Sequence, residues 1–238
     1  MTYVRHARDV VSGPLQEFGG APARVLHRHA CGLVAEVDFP PATRWLAVAP
    51  RAQTVEIFVL DGMIDCSGRR MQRHDYAHVP SLSPLDVVSE SGARLLAFFD
   101  SPRSTDGADM TFVEAASSNW RRGTISQRDT GVTLALEVRD LRAVSATGQR
   151  TWLLRADAGL NLPYERHRTV EEGYIVDGNY RLTECLSDGD RHDRHFPGSY
   201  FYRPAGIVHG GPQSGSDGEF TMLLRTPEAL TVEFVDRG

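Results

Sequence analysis

The chain has no lysine at all, so its 26 basic residues are all arginine, a mark of GC-rich coding more than of a physical requirement. Cysteine is scarce. Cys31, Cys66 and Cys185 are far apart, odd in number and form no CxxC, which excludes a disulfide framework and fits reduced thiols in a cytoplasm. No stretch approaches the roughly 18 consecutive apolar residues of a membrane helix. Met1 to Gly20 carries Arg5, Arg8 and Asp9 but no apolar run, so a signal peptide is not expected. Excess positive charge is missing too. A net charge of -5 argues against non-specific nucleic-acid binding. GxSxG, P-loop and GxGxxG-helix patterns are absent, which counts against α/β serine hydrolases, P-loop nucleotide enzymes and Rossmann enzymes. Long amphipathic windows of 3.6-residue period are absent as well, so helix should be scarce.

What is present is a succession of short strands. Gly32–Asp38, Thr54–Leu60, Arg94–Phe99, Thr133–Val138, Thr151–Ala156, Gly173–Val176, Tyr180–Cys185, Ser199–Arg203, Phe220–Arg225 and Thr231–Val235 are rich in Val, Leu, Thr, Phe and Tyr. Turn signals such as Asp61-Gly62, Asp177-Gly178 and Ser187-Asp188-Gly189 separate them. Regular short strands between such turns predict an all-β sandwich or barrel. An internal repeat is also visible. Val55-Glu56-Ile57-Phe58-Val59-Leu60-Asp61-Gly62 reads against Glu171-Glu172-Gly173-Tyr174-Ile175-Val176-Asp177-Gly178. Further on, Asp75-Tyr76-Ala77-His78-Val79-Pro80 reads against Ser199-Tyr200-Phe201-Tyr202-Arg203-Pro204. Two copies in one order predict a duplicated domain. We place an N-terminal barrel at 1–105, a polar connection at 106–132 with an outer strand near Met110–Val113, and a C-terminal barrel at 133–238.

Potential chemistry concentrates in the second copy. Gly159 is followed after five residues by Glu165, then by His167, Glu171 and Gly178; Gly198 is followed by Pro204, Gly206 and His209. Glu165 and His167 are two apart, so on a strand they share a face, and Glu171 keeps that parity. Two imidazoles with one or two carboxylates suit Fe(II), Mn(II), Zn(II) or Ni(II). Glu165 is read as a fourth ligand or as a proton-transferring base. Tyr174, Tyr200, Tyr202, Arg203 and Trp152 are the nearest candidates to line a substrate pocket, with Arg203 placed to clamp a carboxylate. Glu172 has the opposite parity and is expected outward or at the barrel edge. His27-Arg28-His29 lacks a following Glu and is read as no ligand pair; His192 and His195 are expected at the surface, and Cys185 as a small core residue. Projecting the repeat onto the first copy puts Ala49, Arg51, Val55 and Leu85 at the ligand positions. None of these completes a metal site, so the first barrel should be metal-free.

The two linked spacings resemble the motifs of the cupin superfamily, G(x)5HxH(x)3-4E(x)6G and G(x)5PxG(x)2H, with Glu165 standing where the first His is usual. The Glu171-Glu172 pair before the strand further resembles anti-sigma-factor (ChrR-type) cupin domains. The resemblance implies two tandem cupin barrels (double-stranded β-helix or jelly roll) and one divalent metal held by Glu165, His167, Glu171 and His209. It also implies a metal-dependent enzyme on a small organic acid, diketone or phenolic compound, of dioxygenase, isomerase or cyclase type. The alternative is a non-catalytic metal- or ligand-sensing regulatory protein. A cytoplasmic homodimer with a small-molecule substrate, and no nucleic-acid or membrane partner, completes the expectation.

Overall fold

A computed structural model describes residues 2–29, 32–48, 53–103, 107, 109–126, 133–160 and 162–237. Ala49 and Arg51 of the projected first-copy positions, and Cys31, lie outside the described residues. The fold is all-β. The only helices among the described residues are the 3-10 turns Ala7–Asp9 and Gln16–Phe18, so none is long and apolar enough to cross a membrane. Two compact units divide it. One contains Ala7–Asn119; the other joins Met1–His6 to Trp120–Gly238. The polar stretch after Ser101 is not bare connection. Thr111–Val113 pairs with Tyr76–Val79 in the N-terminal unit, and Arg121–Ser126 forms a hairpin with Thr133–Val144 in the C-terminal one.

The C-terminal unit is two antiparallel sheets. The larger runs in the order Tyr3–His6, Ser199–Arg203, Glu171–Asp177, Phe220–Thr226, Gln149–Ala156, Thr133–Val144, Arg121–Ser126; the smaller runs Gly189–His195, Tyr180–Leu186, Val208–His209, Glu165–His167, Val232–Phe234. From Gln149 onward the chain alternates between the sheets in jelly-roll fashion, which brings side chains from both into one interior. Period-2 alternation puts Trp152, Ile175, Leu182, Phe201, Phe220, Met222 and Leu224 there. The N-terminal unit has the same logic, with an apolar core among the described residues that includes Val55, Ile57, Val79, Leu85 and Cys66. Burial pushes the Cys66 thiol up to about 12, and burial also raises Cys185, so neither is a ready thiolate.

The repeat read from the sequence holds in strand register. Val55 pairs with Val79 and Phe58 with Tyr76; Glu171 pairs with Arg203 and Tyr174 with Tyr200. Even a buried bond on the outer face recurs: the Tyr76 hydroxyl donates to Glu56 at 2.7 Å, and the Tyr200 hydroxyl donates to Glu172 at 2.8 Å. Glu172 is therefore on the outer face, opposite Glu171, as parity demands, but it is buried there rather than exposed to solvent. Where the second copy has an inward ion pair, the first has two valines.

Gly62 and Gly178 occupy the same bend in the two copies, each at φ +76°. A Cβ on Gly178 would sit 2.2 Å from the Glu219 carbonyl oxygen, and one on Gly62 2.4 Å from the Gly92 oxygen. Left-handed backbone at a non-glycine residue costs about 1–3 kcal/mol before any clash is counted. Gly178→Ala should therefore lower the stability of the C-terminal unit by more than about 2 kcal/mol in urea titration. Gly218→Ala, whose new Cβ meets nothing within 4 Å, should stay within about 0.5 kcal/mol.

Candidate metal centre

The strand Glu165–His167 lies beside Val208–His209, with Glu165 directly opposite His209. His209 is opposite Glu184 on its other side, so three strands deliver side chains to one row. The bend at Pro204 and Gly206 is tied down by the Gly206 N–H, which donates to the His167 carbonyl at 2.8 Å. His209 Nε2 stands 3.5 Å from Glu165 Oε1, and His167 Nε2 stands 3.9 Å from the same oxygen. One ligand atom from each of Glu165, His167 and His209 falls within 4.8 Å of the others, and all three residues are buried. His167 Nε2 is also 3.8 Å from Glu171 Oε2.

The donors suit a cation. His167 Nδ1 contacts the Thr231 carbonyl at 3.0 Å and His209 Nδ1 contacts the Ile207 carbonyl at 3.2 Å. A carbonyl only accepts, so each Nδ1 carries the proton and each Nε2 turns a lone pair inward. Burial, with help from the Arg203 cation, holds His209 well below its ordinary range, so its imidazole is neutral. Glu165 is raised by burial, against the opposing pull of His167 and Arg203, and its Oε2 has no hydrogen-bond partner. A buried carboxylate with Oε1 beside two imidazole nitrogens and Oε2 without a partner is a site that a divalent ion would complete.

Glu171 stands beside this cluster. Its carboxylate is ion-paired with the Arg203 guanidinium, whose Nε donates to Glu184 Oε1 at 3.1 Å. Arg203 thus points inward, between two buried carboxylates. Its cation also lies over the Phe201 ring.

The cluster forms one end of a cavity of about 180 Å³, otherwise lined mostly by Leu, Val, Phe, Met and Trp side chains. Of the substrate-binding candidates, Trp152 and Arg203 line it. Tyr174 and Tyr202 do not: both alternate with inward residues, Tyr174 between Gly173 and Ile175, Tyr202 between Phe201 and Arg203, and so face the other way. Gly173 is small for a reason, since a Cβ there would lie 2.2 Å from the Phe201 ring. Tyr180, singled out by no motif, lines the cavity with its hydroxyl buried and without a hydrogen-bond partner. His195 is fully buried, contrary to the surface expectation. It ends a strand opposite Tyr180 and packs edge-on to Phe201; burial first, then Arg203, His6 and Arg191, lowers it to about 3. His192, by contrast, is exposed, as expected.

Residues 111–228 match the family described as the ChrR cupin-like domain. Just under half of the chain is thus similar to a cupin domain. Solved structures of similar fold extend the likeness over the whole chain. One from Nostoc punctiforme, named as a candidate dioxygenase, is 17% identical with a TM-score of 0.76, covering 100% of this chain and 88% of that one. A candidate glyoxylate-induced protein from Pseudomonas aeruginosa is 15% identical at TM-score 0.71, with coverage of 100% and 90%. Oxalate decarboxylase from Bacillus subtilis, as a deletion mutant, is 14% identical at TM-score 0.62, covering 98% of this chain and 79% of that one. At these identities the likeness speaks for the fold alone. No curated protein matches the sequence.

Proposed function

We propose that the protein is a tandem cupin whose C-terminal barrel is a metal-dependent enzyme on a small organic molecule, with dioxygenase-type chemistry the leading form. The observation that carries this reading is the convergence of Glu165, His167 and His209 on a cavity whose walls are otherwise mostly apolar. His167 and His209 would hold the ion through Nε2, and Glu165 through its carboxylate, with Glu171 adjusting the charge from its pairing with Arg203. A bound divalent ion supplies Lewis-acid polarisation of a substrate oxygen or, as Fe(II), a binding site for O₂. Glu165, raised by burial, is also suited to hold or pass a proton. The apolar walls exclude water from the reacting end. The Mn(II) centres named for the B. subtilis oxalate decarboxylase show the kind of ion that a protein of this fold holds.

A non-catalytic sensory role is the second reading, favoured by the match of residues 111–228 to the ChrR cupin-like family. The cavity counts against a sensor of metal alone; a ligand sensor would use it as an enzyme does, so turnover decides between the two. A cytoplasmic homodimer remains part of the proposal. Elemental analysis of the purified full chain should find one divalent metal per chain, followed by O₂ uptake with a substrate panel once iron is restored. Two tightly bound metals would overturn the metal-free N-terminal barrel. None would overturn the metal reading itself. Metal without turnover on any of the panel would move the weight to the sensor.

A further inference from the structure

A divalent ion completes the charge balance at the metal end. Glu165, Glu171 and Glu184 are buried carboxylates, and Arg203 and Arg191 are the guanidiniums that pair with them. Asp193 shares Arg191, so four negative charges face two positive, and a divalent ion brings the sum to zero. A neutral head needs no counter-charge there, whereas a dianion finds none. Arg203 is not free to supply one, since both Glu171 and Glu184 bind it. Arg150 also lines the cavity, but it is held to Asp140 and stacks on Trp152.

The remaining walls are apolar. Leu136, Leu154, Leu160, Phe220, Met222 and Leu224 surround a space of about 180 Å³. An apolar cavity of about 150 Å³ holds a benzene-sized molecule. A small dianion would leave most of these walls uncovered, while a ring or short branched chain would fill them. Tyr180 lines the same space. Tyr180 is 3% exposed and its oxygen has no hydrogen-bond partner. Glu165, Glu171 and Arg203 line the same cavity as Tyr180. Buried tyrosine hydroxyls normally find a partner, and one left without it is relieved when an acceptor arrives.

We infer that the cavity takes a molecule with an apolar body of about ring size and a single neutral oxygen head, the head held at the metal end by the Tyr180 hydroxyl. This rests on the metal reading for where the head lies, and it makes Tyr180 a positioning residue. Small dianions of the oxalate type are excluded as substrates. Within this fold, the chemistry of the body then separates this chain from a protein that handles a dicarboxylate.

Three probes test it on the full chain, both metal-loaded and chelator-treated, by calorimetric titration: cyclohexanone (body and head), benzene (body alone) and oxalate (two charges and no body). Cyclohexanone should bind about three- to tenfold more tightly than benzene, the worth of one net hydrogen bond, and oxalate should not saturate. Tyr180→Phe keeps the ring, so it should bring cyclohexanone down to the benzene level and leave benzene unchanged. Leu154→Trp, at a half-buried wall position, should remove both. Oxalate binding more tightly than cyclohexanone in the wild type overturns the inference without any variant, and so does an unchanged cyclohexanone affinity in Tyr180→Phe. If that variant fails to fold, retention of both ligands by Leu154→Trp overturns it instead. Metal content measured on the same samples separates the two proposals. The expected ligand order in a chain that never holds metal keeps this inference and sinks the metal reading; a metal-loaded chain with the order inverted does the reverse.

Discussion

Arg203→Met is expected to destabilise the C-terminal unit by about 3–5 kcal/mol, the usual cost of removing one partner from a buried ion pair. Arg203 is 3% exposed and lies between Glu171 and Glu184, themselves 6% and 1% exposed. Methionine has comparable length, so packing is largely kept and the loss is electrostatic: Glu171 is left without its cation in a poorly solvated interior, while Glu184 keeps Arg191. Against a total stability of about 5–15 kcal/mol for a domain, that is a large share. The surface pair Arg155–Glu137, with side chains 34% and 37% exposed, gives the scale for comparison. Breaking it should cost no more than about 1 kcal/mol. Adding Glu171→Gln to Arg203→Met should recover part of the loss, because the orphaned charge disappears. Urea unfolding of the three variants decides the matter, and a loss under about 1 kcal/mol for Arg203→Met would mean that water reaches these carboxylates.

The metal end of the fold was legible in the sequence because spacing and parity survive folding directly. Glu165, His167 and His209 converge since two-residue spacing puts the first pair on one face and the bend at Pro204 and Gly206 returns the third opposite Glu165. The shared register of the two repeat segments was legible as well: Val55 stands against Val79 where Glu171 meets Arg203. Tyr174 and Tyr202 miss the cavity for a reason the sequence itself contains: with Glu171 inward, Gly173 and Ile175 follow it inward and Tyr174 cannot. Closeness to the motif is a weaker guide there than alternation.

Other features needed tertiary contacts. Gly189–His195 reads as a polar loop, yet it pairs along its whole length with Tyr180–Leu186, and that pairing buries His195 at one end. Tyr180 falls between the two spaced motifs and belongs to neither. Its role depends on Gly178 turning the chain from one sheet to the other, so that the strand it begins faces the cavity. Glu172 reads as an exposed charge until Tyr200 and Arg225 are seen beside it.

His209→Ala should abolish stable metal binding in the C-terminal barrel, and Glu165→Ala should weaken it by more than about 100-fold, beyond the roughly 10–100-fold typical of residues that only orient a ligand. His209 is the control because its Nε2 lone pair is directed inward by the Ile207 carbonyl and burial keeps the ring neutral. Glu165 carries the sharper test. Its Oε2 is buried without a partner, so in metal-free protein the carboxylate costs stability that a cation would return. Glu165→Gln removes the charge while keeping the shape. Metal-free Glu165→Gln should therefore be more stable than metal-free wild type by about 1–3 kcal/mol, yet gain less on adding metal. Glu165→His should keep metal bound, since it offers a neutral nitrogen in the carboxylate's place. One carboxylate fewer then leaves the site more positive, which lowers the pKa of a bound water and shifts any pH–rate profile to lower pH. The decisive comparison is elemental analysis beside thermal unfolding on the same preparations. If His209→Ala loses the metal while Glu165→Ala keeps full occupancy, Glu165 is no ligand, and its buried, proton-holding carboxylate is then the base.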